Sequence, residues 1–260
     1  MIEVPCRAGR TFSFDPATTA RLIVDMQYDF VADEGVCGGG HLDLKSLQAC
    51  VPRVRAVLDA ARELAMTVAQ TRYGFKPDLS NLPDSVREQS RAAGAEQGTP
   101  GPMGRILTES EPGFQILPEL TPAEDKIVVN KPTFGAFASA DLHTQLQARG
   151  VRPLLICGVT TECCVEGTIR EAVDLGYYVM TLEDCCGAFE PELHEGTMRA
   201  MQSEGHLFGW TGSSEARLAE RDGRDTCGGG IELVVRALMG AGSGSSSSGL
   251  WGLPCCTKFR

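Results

Sequence analysis

Three kinds of side chain able to carry acyl-transfer chemistry fall at comparable points of the chain. Asp25 closes the apolar run Arg21-Leu-Ile-Val-Asp25. Lys131 follows Lys126-Ile-Val-Val-Asn130, and Cys163 and Cys164 come soon after Pro153-Leu-Leu-Ile-Cys157. An acid, a cation and a thiol are what a nucleophilic cysteine needs. The thiolate attacks, a cation or a helix N-terminus favours it, and a carboxylate can take its proton and return it. Each residue also has a plainer reading: a strand-end acid in a turn, a solvated lysine before Pro132, a small buried thiol. Spacing alone leaves open which of the adjacent thiols reacts.

The elements that must position these groups alternate regularly. Short apolar runs at 21–25, 67–71, 126–130, 153–157, 177–182 and 206–210 read as buried strands. Between the first two, Leu44, Leu47, Val51, Val54, Leu58, Ala61 and Ala65 recur every three or four residues, an amphipathic helix with Pro52 expected in its first turn. Further helices are expected at 140–149, 163–175 and 191–203, two of them closed by Gly150 and Gly176. Alternation of this kind predicts an α/β fold, a doubly wound, mostly parallel six-stranded sheet with helices on both faces. In such sheets ligands bind beyond the carboxyl ends of the strands, which is where Asp25, Lys131 and the thiols fall. Residues 74–112 are rich in Gly, Pro and charge and show little periodicity, as expected of a lid-like insertion. The predicted domain spans 1–220. Residues 221–260, with GSGSSSSG at 242–249, read as a low-complexity tail.

Composition narrows the partners. A formal charge of −10 gives no electrostatic reason to approach nucleic acid or an anionic membrane, so neither is an expected partner. No apolar run approaches the ~20 residues of a membrane span, and the first residues lack the pattern of a secretory signal. Eleven cysteines without a Cys-x-x-Cys pair, and only four histidines, support neither a zinc site nor a disulfide scaffold. The expectation is a reducing, cytoplasmic setting and no metal.

LIVDMQYDF (22–30), NKPTFGAF (130–137) and GVTTECCVEGTIREAVDLGY (158–177) resemble the signature regions of the isochorismatase-like cysteine hydrolases. GPMGRILTESEPGFQILPEL (101–120), TLEDCCGAF (181–189) and MQSEGHLFG (201–209) look most similar to the biuret and triuret amidohydrolases of that superfamily. The resemblance implies a catalytic triad of Asp25, Lys131 and Cys164 with no cofactor. It also implies a cis peptide between Val159 and Thr160, and an oxyanion hole from the backbone N–H groups of Thr160 and Cys164. Cys163 then becomes a packing residue. Gln202 matches a glutamine that holds the distal carbamoyl group, while Phe30 and Arg105 are further candidates for substrate contact. The family also implies a homo-oligomer, a tetramer.

The chain departs from that pattern at Thr133-Phe134-Gly135, where relatives carry Gly-Lys-Gly. A bulky ring thus replaces a cation near the expected pocket. The resulting expectation is hydrolysis of a small ureido substrate, biuret or triuret, with release of ammonia. The enzymatic alternative is another N-carbamoyl compound, such as ureidoacrylate or N-carbamoylsarcosine. A carboxylate on it would want an arginine, and Arg72 or Arg105 could serve. The non-enzymatic alternative is a binding or scaffold protein that keeps the fold.

Overall fold

The computed structural model describes residues 1–39, 42–124 and 126–215. The expected low-complexity tail, 221–260, lies outside the described residues, as does the end of the expected domain. The strands are β1 (Ile2–Cys6), β2 (Arg10–Phe14), β3 (Ala20–Val24), β4 (Thr67–Tyr73), β5 (Pro100–Gly101), β6 (Gly104–Arg105), β7 (Ile127–Lys131), β8 (Pro153–Val159), β9 (Tyr178–Gly187) and β10 (Trp210–Gly212). The α-helices are α1 (Tyr28–Val31), α2 (Lys45–Glu63), α3 (Asp84–Ala92), α4 (Leu142–Ala148), α5 (Glu166–Asp174), α6 (Pro191–Met201) and α7 (Ser203–His206).

Six strands form one parallel sheet in the order β10-β9-β8-β3-β4-β7. The predicted α/β architecture is therefore present. All of β3 is buried, and β8 is buried from Leu154 onward, because helices cover both faces of a parallel sheet. From β3 the chain builds outward through β4 to β7, then returns to lay β8 on the other side of β3. The strand order therefore reverses between β3 and β8, the crevice where open sheets bind ligands. There Gly158, at φ 126°, lets β8 run against the Val24 backbone, where a Cβ would collide with the Val24 carbonyl.

Several local expectations need correction. Pro52 lies well inside α2 instead of in its first turn, because the helix already starts at Lys45. β9 continues past the expected 182 to Gly187, with Gly158 pairing Cys186 after a register shift in β8. The final strand is Trp210–Gly212, displaced from 206–210, since the chain turns through left-handed Glu204, Gly205 and His206 first. The segment 74–112 is more ordered than its pattern suggested. It carries α3 and the β5–β6 hairpin, and it packs Phe75, Leu82, Ile106 and Leu107 against Tyr73 in a small core of its own.

The N-terminal hairpin β1–β2 was not legible, since its alternation is short and interrupted by Pro5. It buries Ile2, Val4, Phe12 and Phe14, and Phe12 packs its ring 5.1 Å from that of Trp210. The hairpin thus shields β10, the edge strand at that side of the sheet.

Candidate active site

At the carboxyl end of β3 the chain turns sharply, placing Asp25 at φ 50°, a conformation Asp tolerates better than most residues. Its carboxylate is fully buried. Thr71 of β4 orients it: the Thr71 hydroxyl donates to Oδ1 at 2.5 Å and accepts from the Asp25 N–H at 3.2 Å. Lys131 ends β7, two strands away. Its ammonium passes over the Tyr73 ring, 5.1 Å from the centroid, to reach Asp25 Oδ2 at 2.7 Å. The carbonyls of Thr133 and Phe134 take two more ammonium hydrogens at 3.0 and 2.7 Å. The ammonium is thus ion-paired with one carboxylate oxygen and hydrogen-bonded to two carbonyls. Burial works against the charge of Lys131, but Asp25 and the nearby cysteines outweigh it and its pKa is raised.

Cys164 lies in a π-helical turn, Thr161–Val165, between β8 and α5. Such turns are frequent at functional sites. The Val159–Thr160 peptide before it is cis, as the resemblance implied. The Thr160 carbonyl accepts from the N–H groups of Cys163 and Val165, which flank Cys164. Cys164 is 6% exposed. The adjacent Cys163 thiol, with burial adding to it, pushes the Cys164 thiol up, although Lys131 draws it down. The same neighbour relation lowers Cys163. Cys163 is half-buried and packed against the core, as expected of it, and its ionisation is tied to that of its neighbour. The structure brings Asp25, Lys131 and Cys164 into mutual electrostatic reach at the switch point.

The other expected contacts divide. Phe30 is half-buried and tilted against Tyr73 at 6.3 Å between centroids, so it belongs to the aromatic wall beside the ammonium. Phe134 stacks on Tyr73 at 5.7 Å and 18°, with 48% of its surface exposed. Gln202 caps the end of α6, and its amide donates back to Met198 O at 3.0 Å. Arg105 ties the insertion together, donating to Gly98 O at 2.8 Å and Pro77 O at 2.7 Å. Arg72 is similarly engaged with Asn130 Oδ1 at 2.9 Å and Gln115 Oε1 at 3.2 Å. Asp29 is also a fastener, accepting the Leu107 N–H at 2.9 Å.

Three residues were not singled out from the sequence. Gln27 donates to Tyr73 O and Phe114 O, both at 3.0 Å, and accepts from the Tyr73 N–H at 2.6 Å, pinning the ends of β3 and β4 together. Tyr73 itself lies near Cys164, Cys163 and Asp25, and its pKa is raised by burial and by those acidic groups. Glu171 of α5 accepts from the Phe137 and Ala138 N–H groups at 2.7 and 3.3 Å, strapping the loop after Lys131 to the helix after Cys164. Gly135 makes that strap possible, since a Cβ there would run into the Glu171 carboxylate. The signal for Tyr73 was its register, directly opposite Lys131.

Among the described residues, no group of three or more His, Cys, Asp or Glu is arranged to hold a metal ion, and no helix is long and apolar enough to cross a membrane.

A buried acid, lysine and thiol thus lie together at the switch point of a parallel sheet, the set of groups a nucleophilic cysteine needs. Residues 19–216 match the isochorismatase domain model, and the chain belongs to that family. A ureidoacrylate amidohydrolase, RutB, of Klebsiella pneumoniae subsp. pneumoniae is 28% identical over 219 residues, 83% of this chain and 92% of that protein. Among solved structures, a cysteine hydrolase from Pseudomonas syringae pv. phaseolicola aligns at TM-score 0.67 and 25% identity, covering 88% of this chain and 96% of the other. An isochorismatase family protein from Desulfovibrio vulgaris aligns at TM-score 0.62 and 29% identity, covering 73% and 92% respectively.

Proposed function

We propose that this protein is a cysteine-dependent amidohydrolase that cleaves a C–N bond of a small ureido compound, biuret or triuret, and releases ammonia. The observation that carries the reading is the buried Lys131–Asp25 pair, 2.7 Å apart and within reach of the Cys164 thiol. The similarity to a ureidoacrylate amidohydrolase supports hydrolysis of an amide bond in a ureido group.

In this mechanism Asp25 takes the Cys164 proton as the sulfur attacks the terminal carbonyl carbon. Lys131 balances the negative charge that Asp25 and the thiolate otherwise concentrate in a dry site. The N–H groups of Thr160 and Cys164 receive the developing oxyanion, a role worth several kcal/mol where donors are fixed beforehand (about 3–4 per donor). As the tetrahedral intermediate collapses, the C–N bond breaks and Asp25 protonates the departing ammonia. Water, activated by Asp25, then attacks the thioester and frees the sulfur. From biuret the products are allophanate and ammonia.

A second reading is favoured by the same relative: a carboxylate-bearing N-carbamoyl substrate such as ureidoacrylate. Ammonia release from a panel of biuret, triuret, ureidoacrylate and N-carbamoylsarcosine, wild type against Cys164→Ala, tests both. The reading predicts release from biuret or triuret by wild type alone. Release only from the carboxylate-bearing compounds favours the second reading, and no release from any compound contradicts both.

A further inference from the structure

In the 74–112 segment, Arg87 Nε and Gln97 Oε1 are buried without a hydrogen-bond partner, and of the two residues Gln97 is the more deeply buried. Its side chain is 9% exposed, yet its Oε1 is buried without a hydrogen-bond partner. A buried amide oxygen left unpaired costs free energy comparable to a lost hydrogen bond, so its burial calls for a reason. Its other end points to one: Nε2 approaches the Tyr73 hydroxyl at 3.5 Å. That hydroxyl accepts there and keeps its own proton to give, and it lies within electrostatic reach of Cys164, Cys163 and Asp25.

The backbone holds Gln97 in place. Gly98 donates to Ile106 O at 2.9 Å, and Ile106 donates to Thr99 O at 2.9 Å. Arg105 holds Gly98 O from the other side, at 2.8 Å. Arg105 thereby fixes the backbone next to Gln97.

We infer that Gln97 and Tyr73 together bind the non-reacting end of the substrate, Gln97 Oε1 accepting an N–H and the Tyr73 hydroxyl donating to a carbonyl. The inference rests on the ureido reading above and makes it more specific: the distal group is a neutral amide. A carboxylate has no N–H for Gln97 Oε1 and would set one acceptor against another. The cations that could compensate are engaged. Arg72 and Arg105 bond to protein oxygens, and Lys131 is ion-paired with Asp25 and bonded to two carbonyls.

The test compares N-carbamoylglycinamide with N-carbamoylglycine, which differ only in amide against carboxylate, for wild type, Gln97→Leu and Tyr73→Phe. Wild type is expected to favour the amide by tenfold or more in kcat/KM. Gln97→Leu is expected to lose about tenfold to a hundredfold on the amide, mainly through KM, and to narrow the preference. Tyr73→Phe keeps the ring beside Lys131 and is expected to narrow the preference as well, so it carries the comparison if Gln97→Leu fails to fold. A wild type that prefers the acid overturns the inference, as does a folded Gln97→Leu within twofold of wild type on the amide. In both cases the ureido reading survives. A wild type that turns over neither compound, nor biuret, overturns the two together.

Discussion

Lys131 and Asp25 meet at 2.7 Å although they end strands that are not neighbours, with the ring of Tyr73 from the strand between them lying beside the ammonium. Both side chains are fully buried, so each is the other's principal compensation for leaving water.

Breaking that pair from one side should be costly. Lys131→Met leaves a buried carboxylate without its cation and is expected to lower unfolding free energy by about 3–5 kcal/mol and abolish turnover. Urea denaturation at neutral pH checks the first and ammonia release the second. Because the folded-state pKa of Lys131 is raised, its contribution is fully present below the unfolded value of about 10.4 and is lost only as pH climbs through the folded one. The wild-type and Lys131→Met stabilities should therefore differ across the neutral range and converge only at strongly alkaline pH. A constant gap up to that range would contradict the assignment.

The neighbouring thiol should set the pH profile. The adjacent Cys163 thiol raises Cys164, so its removal lets the nucleophile ionise more readily. Cys163→Ala is expected to keep most of the activity and to move the acid limb of kcat/KM to lower pH. An unmoved limb, or one moved upward, would show that the two thiols do not share their ionisation.

Glu171 offers a test of positioning at a distance from the chemistry. It holds the loop whose Thr133 and Phe134 carbonyls fix the Lys131 ammonium. Glu171→Leu is expected to reduce kcat by roughly tenfold to a hundredfold, as displacement of a catalytic group by about 1 Å can do. Glu171→Gln keeps an acceptor oxygen and should restore most of the rate. Equal losses in the two variants would mean that the charge, and not the strap, matters.

The sheet and the positions of Asp25, Lys131 and the paired thiols were legible because each lies at or just beyond the end of a strongly apolar strand, where one turn separates core from crevice. The choice of Cys164 over Cys163 came from the resemblance alone. Tyr73 was missed because the second strand read as ending at residue 71, two residues short of the crevice. Gln97 was missed for a different reason. It sits in an insertion held by backbone bonds and by Arg105 and Asp29, and such ties leave no periodic mark on the sequence. Gln202 was singled out by its motif, and its Nε2 donates to Met198 O one turn back along α6.

The central claim is a covalent intermediate on Cys164. Rapid acid quenching of enzyme mixed with excess biuret, followed by peptide mass analysis, reads it directly. The account predicts an adduct with the mass of biuret less one ammonia on the peptide bearing Cys163 and Cys164. It should persist in Cys163→Ala and be missing from Cys164→Ala. An adduct that follows Cys163, or continued ammonia release by Cys164→Ala, would contradict it.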